Sequence, residues 1–291
     1  MLKFSYVRVR NTEELLRRLD SEKGRILAGG TDLMLKLKHG IVHPKIVYDI
    51  SSVESLAGIT EDEVSLHIGA ALKLRCIVKA PKVMEFAPLL SHFAGEIGSM
   101  EVRNAGTVGG NLCASRANCG ICFLPGCHAM TADRNVPPCR SSSYADLLLP
   151  LIAYGASVKI MSKADARLIS VKDFFIGGGR INLKPQELLA EIVVPKAKHS
   201  RFGVSELRQP VKMGFPYISV IAEEKGGVFD LTVGGSTDKI YTFENAKTSD
   251  FAKLCEGVDF TAALRLSEDY RKQALISVVA DAAENAVRGR A

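Results

Sequence analysis

The chain has 291 residues, 47% of them hydrophobic, with 38 Lys and Arg against 32 Asp and Glu, for a formal net charge of +6. That is enough apolar material for a substantial core and two or three subdomains, while the longest apolar runs, such as Leu147 to Ala153, are far too short to cross a bilayer. The mild positive charge contains no long basic run, so it does not support nucleic-acid binding; a solvated surface accounts for it, with docking to an acidic protein as the sharper alternative.

Phe4 to Val9 reads as a strand. Asn11 is a candidate helix cap, with Glu14 completing a capping box ahead of Leu15, Leu16 and Leu19. Arg25 to Leu27 is a short strand leading straight into Ala28-Gly-Gly-Thr-Asp32. A helix, Leu33 to Lys38, and a strand, Lys45 to Ile50, follow. Together they make a small β-α-β-α-β unit. Ser65 to Ile68 reads as a strand, Leu74 to Lys79 as a short helix, and Pro88 to Phe93 as the opening of another. Ile97 to Val102 leads to a second glycine turn, Thr107-Val-Gly-Gly-Asn111. Beyond a cysteine-rich stretch, Tyr144 to Tyr154 reads as a buried helix, and Ala156 to Ile160 and Glu187 to Val194 as strands, the latter stopped by Pro195. Residues 195–200 read as a linker. Strands are expected at Ile218 to Glu223 and Val228 to Val233, and a helix from Glu268 capped by Ser267, with Tyr270, Ala274, Val278 and Ala282 as its apolar face.

Each glycine turn lies where backbone N–H groups at the start of a helix can take an anion, so two such turns can hold the two phosphates of a dinucleotide. A structural strand-to-helix turn is the competing reading of each. No G-x-G-x-x-G fingerprint is present, which leaves a Rossmann site unsupported.

Five of the seven cysteines crowd behind the second turn, at Cys113, Cys119, Cys122, Cys127 and Cys139. That clustering, with an odd total, is unlike a distributed disulfide framework and favours metal ligation. Four thiolates at short loop spacings suit a metal or iron–sulfur site, with Gly120, Gly126 and the Pro137-Pro138 pair supplying bends. A structural zinc in the same thiolates, and replacement of one ligand by Cys113 or His128, remain open.

Ala28-Gly-Gly-Thr-Asp-Leu33 and the run from Ile97 through Val-Arg-Asn-Ala-Gly-Thr107-Val-Gly-Gly-Asn-Leu112 resemble the FAD-binding subunit of molybdenum hydroxylases, the xanthine dehydrogenase and carbon monoxide dehydrogenase flavoprotein family. The resemblance continues through Ile68-Gly-Ala-Ala-Leu72, Asp173-Phe-Phe175 and Leu183-Lys-Pro-Gln-Glu-Leu188, and more weakly through Gly234-Gly235 and Tyr270-Arg271. It implies an α+β, vanillyl-alcohol-oxidase (PCMH)-type fold of two FAD-binding subdomains, residues 1–54 and 55–196, followed by a small sheet-plus-helix domain, residues 197–291. It implies that Ala28, Gly29, Gly30, Thr31, Asp32 and Leu33, with Thr107, Val108, Gly109, Gly110 and Asn111, cradle the FAD pyrophosphate. Asp146 falls where relatives place an acidic FAD contact, and Leu189 where they place an apolar one, plain strand core being the other reading of Leu189. A basic residue near the flavin is expected around residues 206–212. The insertion at residues 117–141 is most similar to that of the 4-hydroxybenzoyl-CoA reductase flavoproteins, which carry an additional [4Fe–4S] cluster; the resemblance implies Cys119, Cys122, Cys127 and Cys139 as its ligands here, Cys113 belonging to the FAD turn.

The implied role is electron transfer. FAD here would exchange electrons with [2Fe–2S] clusters of one partner subunit, while substrate chemistry takes place on a molybdenum-cofactor subunit, and ferredoxin or NAD would be the external carrier. No catalytic acid–base pair or nucleophile of its own is expected. The N-terminal segment lacks the long apolar stretch of a signal peptide, so a cytoplasmic, membrane-free location is expected. A stand-alone flavin oxidoreductase of the same fold, and a zinc-stapled FAD subunit without the extra cluster, are the alternatives.

Overall fold

The computed structural model describes residues 3–40, 42–114, 146–177, 180–197, 199–208, 216–237, 239–260 and 266–289. Its first unit is a three-stranded parallel sheet in the order β1-β3-β2, formed by β1 (Ser5–Arg8), β2 (Arg25–Leu27) and β3 (Ile46–Asp49). Helix α1 (Thr12–Ser21) crosses between the first two strands and α2 (Leu33–Lys38) between the second and third. Asn11 caps α1 by accepting from the Glu14 N–H (2.8 Å), while the Glu14 carboxylate turns back to the Arg10 N–H (3.0 Å). The box thus closes one residue outside the expected position. Leu15, Leu16 and Leu19 bury the inner face of α1, each stabilising the unit by about 1.5–3 kcal/mol.

The second unit is a five-stranded antiparallel sheet in the order β4-β5-β10-β6-β7. Its strands are β4 (Ile59–Glu61), β5 (Ser65–Gly69), β6 (Ser157–Met161), β7 (Ala166–Ser170) and β10 (Leu188–Pro195); β8 (Phe175–Gly177) and β9 (Arg180–Ile181) form a separate ribbon. Pro195 pairs with Ser65, so the strand includes the proline expected to stop it. Helices α3 (Leu74–Lys79), α4 (Pro81–Phe86), α5 (Pro88–Glu96), α6 (Met100–Ala105) and α7 (Val108–Cys113) lie in one run between β5 and the undescribed stretch 115–145. The segment expected simply to lead into the second glycine turn is therefore helical: Ser99 caps α6 by accepting from the Val102 N–H (3.4 Å).

The third unit is an antiparallel meander of β11 (Arg201–Arg208), β12 (Pro216–Glu224), β13 (Phe229–Gly235) and β14 (Tyr241–Ala246), backed by the long helix Glu268–Arg288. Ser267 caps this helix through the Tyr270 N–H (3.2 Å). Its buried face is Leu275, Val278, Val279, Ala282, Ala283 and Ala286 with Arg271. Val278 and Ala282 are thus buried as expected and Ala274 packs against the same core, whereas Tyr270, half exposed, does not belong to the face. The helix and sheet approach closely here: a Cβ on Gly203 of β11 would lie 2.1 Å from the Ala282 carbonyl oxygen and from the Ala286 nitrogen, which leaves room for small residues alone. Strand β11 itself lies just after the expected linker and was not foreseen.

Phe202 and Ile221 pack into the core of the second unit, with Tyr154 edge-on to Phe202 at 5.1 Å, and this joins the meander to it. No helix among the described residues is long and apolar enough to cross a membrane.

Candidate cofactor cleft

Strand β2 delivers the chain to Ala28, and Gly30 then adopts φ of 74°, a left-handed conformation that glycine takes without strain. The Met34 and Lys36 N–H groups close the first turn of α2 on the Gly30 and Asp32 carbonyls (both 3.1 Å). The N–H groups of Gly29, Gly30 and Thr31 donate to no acceptor among the described residues. They are the backbone donors that an anion would need.

The second turn differs from the expectation that it repeats this chemistry. Its N–H groups are already committed: Val108 donates to the Leu72 carbonyl (3.0 Å), Gly109 to that of Ala70 (2.8 Å) and Asn111 to that of Thr107 (2.9 Å). The Gly110 N–H goes to the Thr107 hydroxyl, which caps α7 (3.1 Å). Val108 is buried in the core rather than in the cleft, and the Asn111 side-chain Oδ1 accepts from the Leu147 N–H (3.3 Å). What this turn offers is shape. A Cβ on Gly110 would meet the Thr107 hydroxyl at 2.7 Å, and one on Gly109 would meet Ala70.

The two turns touch. A Cβ on Gly29 would lie 2.3 Å from the Ala105 carbonyl oxygen and 2.7 Å from the Gly106 Cα. Lys73 holds that same carbonyl through Nζ (2.8 Å), and the Leu74 N–H holds the Gly106 carbonyl (3.0 Å). Burial lowers the Lys73 ammonium pKa below the usual lysine value. Between the turns opens a cleft of about 1040 Å³, walled by Ala28, Gly29, Gly30, Thr31, Asp32 and Leu33 on one side and by Thr107, Gly109 and Gly110 on the other. Cofactor pockets generally fall at about 300–1,000 Å³, so the space suits a dinucleotide.

A third wall comes from the segment entering β10, where Leu189 lines the cleft. Leu188 lines it too. Leu189, 4% exposed, packs in the core of the second unit as the strand-core reading expected, while Leu188 and Ala190 pack with the first unit, and the register of β10 on β6 shifts between Leu189 and Glu191. The preceding loop is pinned from within. Glu187, buried, pairs with Arg167 of β7 and accepts the Lys184 N–H (2.7 Å), and Arg167 also donates to the Asn182 carbonyl (3.1 Å). Desolvation opposes these bonds, but the net result holds the Glu187 carboxyl below the usual range.

Sequence reasoning did not pick out Lys36, which is buried, lines the cleft and pairs through Nζ with Asp32 (2.7 Å). The available signal was its spacing, one helical turn beyond Asp32. Asp146 sits off the cleft, half buried beside Asn111. Desolvation pushes its carboxyl up to about 6, against the opposing effects of Arg208 and Asn111. Glu206 accepts from Arg208 Nε and the Ser219 hydroxyl (both 2.6 Å) nearby. Cys119, Cys122, Cys127, Cys139 and His128 lie outside the described residues. Among the described residues no cluster of His, Cys, Asp or Glu could hold a metal.

Residues 2–197 match the family model described as the FAD binding domain in molybdopterin dehydrogenase. The xanthine dehydrogenase FAD-binding subunit of Escherichia coli is 24% identical over 194 residues, which make up 66% of this chain and 58% of that protein. The glyceraldehyde dehydrogenase medium chain of Sulfolobus acidocaldarius is 29% identical over 193 residues, 66% of this chain and 59% of that one. The match thus spans somewhat under two thirds of these curated relatives. The fold is that of a chain of quinoline 2-oxidoreductase from Pseudomonas putida, with a TM-score of 0.81 at 21% identity over 99% of this chain and 98% of that one. A chain of carbon monoxide dehydrogenase from Hydrogenophaga pseudoflava gives the same TM-score at 19% identity, over 99% of both chains. These neighbours agree with the expected PCMH-type architecture. With two glycine turns converging on a dinucleotide-sized cleft, the chain belongs to the family of FAD-binding domains of molybdopterin dehydrogenases.

Proposed function

We propose that this chain is the FAD-binding, electron-transferring subunit of a molybdenum hydroxylase complex. The observation that carries the reading is the contact between Gly29 and the Ala105–Gly106 backbone, which brings both glycine turns to one cleft. In this reading Ala28, Gly29, Gly30, Thr31, Asp32 and Leu33 bind the FAD pyrophosphate from one side, through the Gly29, Gly30 and Thr31 N–H groups that have no acceptor among the described residues. Thr107, Gly109 and Gly110 allow its approach from the other, and Leu189 covers the flavin. Val108 and Asn111 support the second turn from behind, and Asp146 braces Asn111. FAD, when bound, links two-electron and one-electron transfer. The protein's own residues hold it, exclude water from it and present it to partners.

The partners are a molybdenum-cofactor subunit and a [2Fe–2S] subunit, with ferredoxin or NAD as external carrier. The curated relatives include medium chains and FAD subunits of dehydrogenases, which supports this assignment. The insertion at residues 117–141 is read as the seat of an additional [4Fe–4S] cluster on Cys119, Cys122, Cys127 and Cys139, as in the 4-hydroxybenzoyl-CoA reductase type; its support is the cysteine spacing.

The test is anaerobic purification of the chain, with flavin, iron, sulfide and zinc measured on one sample. One FAD with about four iron and four sulfide per chain is the expected result for a single cubane cluster. FAD with one zinc and no iron removes the cluster and leaves a zinc-stapled FAD subunit. No flavin after reconstitution overturns the whole reading.

A further inference from the structure

Among the described residues, six side chains that can carry positive charge line the cleft: Lys23, Arg25, Lys36, His43, Lys45 and Lys184. Five are exposed at its rim, and Lys36 alone of the six is buried, at 7% exposure. It stands on α2, one turn beyond the free N–H groups of Gly29, Gly30 and Thr31. Its Nζ is tied to Asp32 Oδ2 at 2.7 Å. An ammonium has three N–H donors, and Asp32 is the one acceptor this Nζ has among the described residues. Rim charges are screened by salt within about 8–10 Å, whereas a buried charge is screened much less. The rim can therefore speed the arrival of an anion, and the buried ammonium can hold it.

We infer that Lys36 is the fixed counter-charge for the diphosphate of the bound dinucleotide, and that it sets the preference of the cleft for a dinucleotide over a flavin without phosphate. The inference rests on the reading of the cleft as an FAD site and deepens it. Asp32 serves as tether: it holds the ammonium in place before the cofactor arrives, so little side-chain freedom is lost on binding. The Asp32 carboxylate is itself about one third exposed, with 36% of its side chain open. Taking away Lys36 therefore removes an attraction and also leaves an unpaired negative charge facing the incoming phosphates. Both effects act in the same direction.

The test uses the full chain stripped of flavin and titrated with FAD and with riboflavin, by quenching of flavin fluorescence at several KCl concentrations. K36M and K36Q are expected to weaken FAD by about tenfold or more, the scale for truncating one partner of a buried charge pair. They should leave riboflavin nearly unchanged and flatten the salt dependence of FAD binding. K36R keeps the charge and should stay within about threefold of the natural chain, a difference of under 1 kcal/mol. K38M, on an exposed lysine off the cleft, is the control. Using two neutral variants keeps a folding defect in one from deciding the outcome. FAD binding by K36M or K36Q equal to that of the natural chain, with the same salt slope, overturns the assignment of Lys36. Failure of the natural chain itself to bind FAD overturns the cofactor reading instead.

Discussion

Gly29 lies so close to Ala105 that a single methyl group on it would stand 2.3 Å from the Ala105 carbonyl oxygen. That contact joins two segments far apart in the sequence, and the obstacle is backbone already held by Lys73, so it cannot yield as a flexible side chain would.

Gly29→Ala is therefore expected to force the two turns apart. Overpacking of this kind costs about 1–3 kcal/mol, readable as a lowered urea midpoint. Flavin retention should fall with it. Unchanged stability and flavin content in the variant would show that the turns are not held in contact.

His67 of β5 lies between two carboxylates, with Nδ1 3.0 Å from Glu191 and Nε2 2.9 Å from Asp62. Hydrogen bonds first to Glu191 and then to Asp62 raise its pKa above the ordinary 6.5. The folded state thus binds the proton more tightly than the unfolded chain. The stabilisation is fully present below about pH 6.5 and is lost as pH rises through the folded-state value. Unfolding free energy, measured from pH 5 to 9, should decline across that window, and His67→Gln should flatten the decline.

Asp146 has the opposite chemistry and the same sign. Its acid pKa is raised from 3.8 to about 6 by desolvation. The neutral acid is favoured in the folded chain, so stability falls as pH rises from about 4 through 6. A carbon NMR titration of the Asp146 carboxyl should give a midpoint near 6. Asp146→Asn should remove this part of the pH dependence, and a midpoint near 4 would contradict the burial that drives the shift.

Arg167 and Glu187 pin the loop that carries Lys184 and Leu189 to the cleft. Arg167→Met leaves the buried Glu187 short of its cation and is expected to cost about 1–3 kcal/mol. It should also raise the rate of flavin loss. Lys184→Met, which keeps the backbone bond to Glu187, should leave stability within about 0.5 kcal/mol. Equal effects of the two substitutions on chemical unfolding would show that the pin is not the Arg167–Glu187 pair.

Much of the local structure was legible because its causes are local. Asn11 and Ser267 are side-chain caps whose oxygen needs only an N–H three residues on, and both caps are present. The helix Leu33–Lys38 and the strand Arg25–Leu27 follow from the composition around one glycine turn. Strand β11 was not legible, because Arg201–Arg208 carries no clean alternation and becomes a strand by pairing with β12 along its whole length. The face of the long helix was legible at Val278 and Ala282, which are buried, but not at Tyr270, which is half exposed; the close approach of Gly203, some eighty residues earlier, to Ala282 and Ala286 could not be read from the helix alone.

The sequence by itself determined where backbone can turn tightly, at Ala28-Gly-Gly and Val108-Gly-Gly, and which short helices follow, since glycine dihedrals and capping depend on a few neighbouring residues. The tertiary structure alone decided that these turns meet at Gly29 and Ala105, and that Lys36 faces the cleft while Val108 faces the core. It also decided that the Gly29, Gly30 and Thr31 N–H groups of the first turn meet no acceptor among the described residues, while the second turn spends its own on Ala70, Leu72 and Thr107. A backbone donor's availability is settled by whatever carbonyl the folded chain brings within about 3 Å of it, and for the second turn the carbonyls of Ala70 and Leu72 arrive from the far end of β5 and the turn that follows it.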